Sequence, residues 1–190
     1  MMNAQNNKPY GWSGTILQFL TLYRSDWLGA LLGHHQVCMN CPADERQKSA
    51  WEYSFDTLKK ELKQLIQLKP ELENYTIIFE YELPRKRGNL YGVIILGSSI
   101  FTLEFRDNDK IIRADVDQAG ASASDLKDHH AASYPYDVIP ILVLARAKDL
   151  IRRDGDVIIL SPDHIADYFN VQAELEEGSP IDANAWIRSE

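Results

Sequence analysis

The spacing of hydrophobic residues changes several times along the chain, and each change marks an element. Ile16, Leu17, Leu20, Tyr23, Trp27, Leu28 and Leu31 recur at the spacing of one helix face, with Ser13 placed to cap the start and Gly33 to end it. His34 to Pro42 breaks the period and predicts a loop. A second helix is predicted from Gln47 to Leu68, where Trp51, Phe55, Leu58, Leu62 and Leu65 form one stripe and Pro70 lies beyond the end. The period then falls to two. Tyr75, Ile77, Phe79, Tyr81 and Leu83 face one way; Thr76, Ile78, Glu80 and Glu82 face the other. Pro84 to Gly88 predicts a basic turn, Val93 to Leu96 an apolar strand, and Ile100 to Phe105 its return after Gly97-Ser98-Ser99. Three strands so close in sequence predict an antiparallel meander.

A further helix is predicted from Ile111 to His130, burying Val116, Ala119, Ala123 and Leu126 and exposing two histidines at the negative end of its dipole. Val138 to Leu144 reads as an apolar strand, with Pro140 placed where its missing N–H is not needed. A short helix over Lys148 to Arg152, a strand over Asp156 to Leu160 and a helix opened by Ser161-Pro162 and running to Phe169 complete the order. The pattern predicts an α/β sandwich around a central mixed sheet, as one domain over residues 1–171, helical to 70 and sheet-centred over 75–170. Residues 172–190 read as an acidic tail or linker, expected to pack loosely, with Trp186-Ile187 as its one apolar foothold.

Composition narrows the function classes. A chain of 190 residues with 45% hydrophobic content can bury one good core. A net charge of −8 argues against a surface coated for non-specific DNA binding, although Arg85-Lys86-Arg87 forms a local basic strip that could contact nucleic acid. No stretch approaches the roughly 18 continuous apolar residues of a membrane span, and the polar start, Met1 to Tyr10, lacks the apolar core of a signal peptide. Two cysteines suit a reducing compartment, so the cytoplasm is the expected location.

Chemistry concentrates at Leu103-Glu104-Phe105-Arg106, where an apolar strand delivers an acid and, two residues later, a base to one face. Around it stand Phe79-Glu80-Tyr81-Glu82-Leu83-Pro84-Arg85, Val93-Ile94-Ile95-Leu96, Asp117-Gln118, Asp125-Leu126-Lys127 and Ile139-Pro140-Ile141-Leu142-Val143. In this order they resemble the PD-(D/E)xK nuclease superfamily. More narrowly, they are similar to nuclease-like domains at the N-terminus of bacterial helicase proteins associated with phage defence, over residues 47–170. The resemblance implies a restriction-endonuclease-like fold in which Glu104 is the acid of the E-x-K element, Arg106 stands where the family has Lys, Gln118 matches the helix Gln, and Glu52 matches an acid on the preceding helix. Gly92, or Tyr91 one register away, stands where the family has a metal-binding Asp. An arginine stays protonated and can only stabilise charge, so two of three central positions are changed.

The expectation is therefore a degenerate nuclease with little or no hydrolysis, serving to bind nucleic acid or a protein such as a helicase. No cofactor is expected, or Mg²⁺ if the chain is active, with Glu104, Glu80 and Glu82 as its vestigial ligands. The alternatives are an active Mg²⁺-dependent endonuclease in which Glu80, Glu82 or Asp107 replaces the missing Asp, and a stand-alone regulator that binds a helicase partner. The chain carries no Gly-rich phosphate loop, so by this resemblance it is a portion or a shortened relative of a longer protein. Plainer readings stand beside these: Glu52 follows Ser49 at capping-box spacing, Glu80 and Glu82 suit a solvated strand face, and Gln118 suits a helix surface. His34, His35, Cys38 and Cys41 fall within eight residues, too close to fold around one metal, and read as an ordinary loop.

Overall fold

The computed structural model describes residues 8–83 and 90–189. A short strand, β1 (Trp12–Thr15), leads into α1 (Ile16–Thr21), α2 (Arg24–Met39) and α3 (Glu45–Leu68). The meander follows as β2 (Thr76–Glu82), β3 (Leu90–Leu96) and β4 (Ile100–Arg106), and α4 (Arg113–His129) crosses over to β5 (Val138–Leu144). A hairpin, β6 (Ile151–Asp154) and β7 (Val157–Leu160), precedes α5 (Ile165–Leu175) and α6 (Ala183–Ile187). One seven-stranded sheet runs in the order β1-β2-β3-β4-β5-β7-β6. It is mixed because the α4 crossover makes β4 and β5 parallel, and β5 and β7 are parallel too, whereas the other neighbours are antiparallel. The α/β sandwich with a central mixed sheet is thus present.

The helices α1, α2, α3 and α5 cover one face of the sheet, where Phe19, Trp27, Phe55, Leu62 and Phe169 meet Ile77, Phe79, Val93, Phe101 and Ile141. The other face is shared. Val116 and Ala119 of α4 pack on Leu142, Leu144 and Ile159, while Trp186 of α6 packs among Ile78, Tyr81, Tyr91 and Ile94. Strands β3 and β5 carry near-continuous apolar runs because both their faces are covered in this way.

Four expectations are corrected. The single first helix is a strand and two helices: Thr15, not Ser13, caps α1 in a box with Gln18, and Gly33 lies inside α2. The expected loop from His34 is helical to Met39, ending where Asn40 turns left-handed at φ 53°. Lys148–Arg152 holds no helix, since Ile151–Asp154 is instead an edge strand paired with β7 around Gly155 at φ 60°. The tail does not pack loosely: α5 extends to Leu175, and Trp186 is 1% exposed and donates its indole N–H to Ser133 Oγ at 3.0 Å.

Candidate functional site

The sheet forks at its centre. β3 and β4 stay paired from Leu96↔Ile100 to Val93↔Leu103 and then part, β3 following β2 to Leu90 and β4 following β5 to Arg106. The fork opens a cleft of about 820 Å³ between α3 on one side and α4 on the other, lined by Trp51, Glu80, Gly92, Glu104, Arg106 and Gln118 among others. Strand alternation sends Glu104 and Arg106 to the same face, toward α4. There the Arg106 guanidinium donates from Nη2 to Glu104 Oε2 at 2.9 Å, from Nε to Asp115 Oδ1 at 3.0 Å and from Nη1 to the Phe105 carbonyl at 3.2 Å. Asp115 lies in the first turn of α4, where the helix dipole favours an acid, and also accepts from Asn108 Nδ2 at 3.2 Å. The pair is partly withdrawn from water, with the Glu104 and Asp115 side chains 17% and 19% exposed. Gln118 donates to Ser122 Oγ at 3.3 Å, one turn along the same helix.

Gly92 falls opposite Glu80 in the ladder, between the pairs Phe79↔Val93 and Tyr81↔Tyr91. A Cβ at Gly92 would meet only the Leu103 carbonyl, at 3.8 Å, so the cleft has room for a side chain at this position. Glu80 departs from the alternation its sequence predicts. Its φ of 53° is left-handed, which turns its side chain away from solvent and toward α3, where its carboxyl accepts the Trp51 indole N–H at 2.8 Å. Burial pushes this carboxyl up to about 7, against the opposing effect of the indole hydrogen bond. Beyond the turn the strand changes faces, so Tyr81 packs under α6 while Phe79 packs under α2. Burial, followed by Asp125 and Glu104, raises the Tyr91 hydroxyl above its usual range.

The remaining candidates lie elsewhere. Glu82 accepts from Cys38 Sγ at 3.4 Å, and the His34 ring lies 3.4 Å from the same sulfur, one turn back on α2. Burial, and then Glu82, raises the Cys38 thiol to about 11, so it stays protonated and is a poor nucleophile or metal ligand. Cys41 is exposed. Glu52 is not among the cleft-lining residues, and Ser49 caps nothing, because Asp44 caps α3 by accepting from the Gln47 N–H at 2.7 Å. Arg85, Lys86 and Arg87 fall outside the described residues. His130, expected at an exposed helix end, is 1% exposed; burial brings its pKa down to about 4, opposed by a hydrogen bond that its ring donates to the Trp186 backbone.

A hard divalent cation needs several free oxygens. Here Glu104 is held by Arg106, Gly92 offers no side-chain oxygen, and Glu80 retains its proton to near neutrality against an indole. The donors as arranged do not fit a Mg²⁺ centre, and no His, Cys, Asp or Glu group of three among the described residues is set to hold a metal. Asp115 and Asn108 escaped the sequence reading because an acid in a first helical turn and an amide in a connecting loop carry no distinctive signal. Nor does any helix among the described residues have the length and apolarity to cross a membrane. No protein-family model matches the chain, and no curated protein matches it.

Proposed function

We propose that the chain is a nuclease-like domain in which an internal ion pair has taken the place of the metal centre, leaving the cleft to bind rather than to hydrolyse. The observation that supports this is the fork itself. A helix, a three-strand meander, a helix and a parallel strand bring Glu104, Arg106 and Gln118 to one cleft, yet Arg106 neutralises Glu104 and Gly92 faces open space. The cleft lining carries Asp44, Glu104, Asp107 and Asp125 against Arg46 and Arg106, a balance that repels a bare polyanion and favours a protein partner. By the resemblance, that partner is a helicase in a defence or DNA-processing setting.

A second reading, an active endonuclease with a displaced acid, is favoured by one observation: Glu80 lies directly across the ladder from Gly92. Incubating the protein with plasmid and single-stranded DNA in Mg²⁺ or Mn²⁺ separates the two. Cleavage no greater than the buffer control is expected. Metal-dependent cleavage that disappears in both Glu104→Gln and Glu80→Gln would replace the first reading with the second.

A further inference from the structure

The fork leaves two strand edges without ladder partners in the middle of the sheet. β3 and β4 pair only from Leu96↔Ile100 to Val93↔Leu103, so residues 90–92 face no β4 partner and residues 104–106 face no β3 partner. Backbone groups of successive strand residues point to alternate edges. The Ile100 N–H donates to the Asp137 carbonyl at 2.8 Å and the Arg106 carbonyl accepts from the Ala145 N–H at 2.8 Å, both on the β5 side. Phe105 is one residue out of step with these two, so its N–H and C=O point into the fork. The carbonyl accepts from Arg106 Nη1, whereas no β3 residue stands opposite the N–H. The cleft is lined from both layers, by Trp51 of α3 and by Gln118, Ser122 and Asp125 of α4, so it passes through the plane of the sheet. At its vertex Gly92 carries no side chain, and a glycine within a strand is one mark of a place where another backbone comes close.

We infer that the fork takes an extended peptide segment of a partner protein, added in the plane of the sheet against the inner edge of β4, with basic side chains toward α4 and apolar side chains toward α3. An open edge of three residues is ~10 Å long, which matches a segment of three or four residues. Strand addition draws affinity from main-chain hydrogen bonds and specificity from alternate side chains. One set of those side chains would meet Met39, Trp51 and Phe105 on the α3 side, where Asp44 and Arg46 offset each other. The other set would meet Glu104, Arg106 and Asp125 on the α4 side, where Asp115 adds a second carboxylate to the Arg106 guanidinium and leaves the group net negative. That charge favours Lys or Arg in the segment and disfavours a nucleic-acid strand. The inference rests on the reading above only in taking the cleft as a binding site, and it specifies how a protein partner is held there.

The probe is an array of capped pentapeptides in which Val, Leu or Phe alternates with Lys, Gln or Glu, incubated with the full chain. The best binder is then titrated by fluorescence anisotropy, beside two copies N-methylated on one or the other alternate set of amides and beside a single-stranded oligothymidine. Lys members are expected to bind at least about tenfold more tightly than Glu members, and at least one N-methylated copy should lose binding. In the free chain the Phe105 N–H should exchange with solvent faster than the Leu103 N–H, and bound peptide should slow it at least about tenfold. Gly92→Leu, checked for folding by circular dichroism, should lose the peptide; if it does not fold, the N-methylated copies and the Phe105 exchange decide. An array without a binder, equal binding of Lys and Glu members, binding that survives both N-methylated copies or a folded Gly92→Leu, an unchanged Phe105 exchange rate, or displacement of the peptide by the oligothymidine overturns the inference. Metal-dependent DNA cleavage would instead overturn the binding reading of the cleft, so the two fail separately.

Discussion

Two buried groups on opposite faces of the sheet should contribute opposite pH dependences to stability, and separating them is a sharp test of the packing. Glu80 is 5% exposed against Trp51, and burial lifts it from 4.5 to about 7. Between those values the folded chain keeps a proton that the unfolded chain releases, so stability falls as pH rises. His130 is 1% exposed, held between Tyr81 Oη at 3.0 Å and Ser133 Oγ at 2.9 Å, and burial drops it from 6.5 to about 4. Between those values the unfolded chain takes up a proton that the folded chain refuses, so stability rises with pH. Each shift corresponds to about 3.4 kcal/mol in full, and within the shared window, pH 4.5 to 6.5, each contributes a change of about 2.2 kcal/mol with opposite sign. The two contributions therefore oppose one another in the wild-type chain.

Glu80→Gln keeps an acceptor for the Trp51 indole and removes one slope; His130→Gln keeps polar contacts and removes the other. Urea unfolding followed by tryptophan fluorescence at pH 4.5, 5.5 and 6.5 gives the stability of each variant relative to wild type, a difference from which all other titrating groups drop out. The Glu80→Gln difference should climb by about 2.2 kcal/mol across the window, and the His130→Gln difference should fall by about the same amount. Constant offsets from packing do not matter, since only the slopes are read. Differences that stay flat to within about 0.5 kcal/mol would show that neither group is held in a low-dielectric site, and would refute the account of both.

Three further outcomes follow from the packing. Gly92→Asp should fold with a stability within about 1 kcal/mol of wild type by denaturant titration, because its Cβ meets only a carbonyl at 3.8 Å; with Arg106→Lys added, calorimetry should detect weak Mn²⁺ binding. Trp186→Ala should cost about 3–5 kcal/mol, and deleting residues 176–190 should lower the melting temperature by many degrees, since α6 completes one face of the core. Glu61, buried on α3, accepts the Ala166 N–H at 3.3 Å in the first turn of α5, so Glu61→Ala should cost about 1–2 kcal/mol and speed hydrogen exchange at the start of α5.

The elements that could be read from the sequence are those whose burial is simple. α3 and α4 each bury one stripe, and β3 and β5 are covered on both faces, so period and length identified them. The misread segments depend on partners far away in the chain. Trp12–Thr15 is a strand only because β2 offers it an edge, and Ile151–Asp154, with its two arginines, is a strand only because β7 does. At the cleft, the motif order places Glu104, Arg106 and Gln118 together, but no local rule foretells a glutamate at φ 53°, so strand alternation puts Glu80 on the wrong side. His130 was misplaced for a related reason. A histidine after a helix suits solvent until Tyr81, Ser133 and Trp186 enclose it.

Glu80 also ties the cleft to the core. A non-glycine residue in a left-handed conformation costs on the order of 1–3 kcal/mol, and withdrawing its carboxyl from water adds to that. An apolar residue with ordinary strand geometry at this position would avoid both costs but would keep Tyr81 on the face of Phe79, away from α6. The ladder does not demand the turn, since β2 and β3 keep the same register on either side of it. The core does, because the change of face buries Tyr81 under α6, and the turn lies where β3 and β4 part, opposite Gly92 in the ladder. The turn therefore does two things at once: it sends Tyr81 into the core under α6, and it sets a buried carboxyl at the fork, in the lining of the cleft that also holds the Glu104–Arg106 pair.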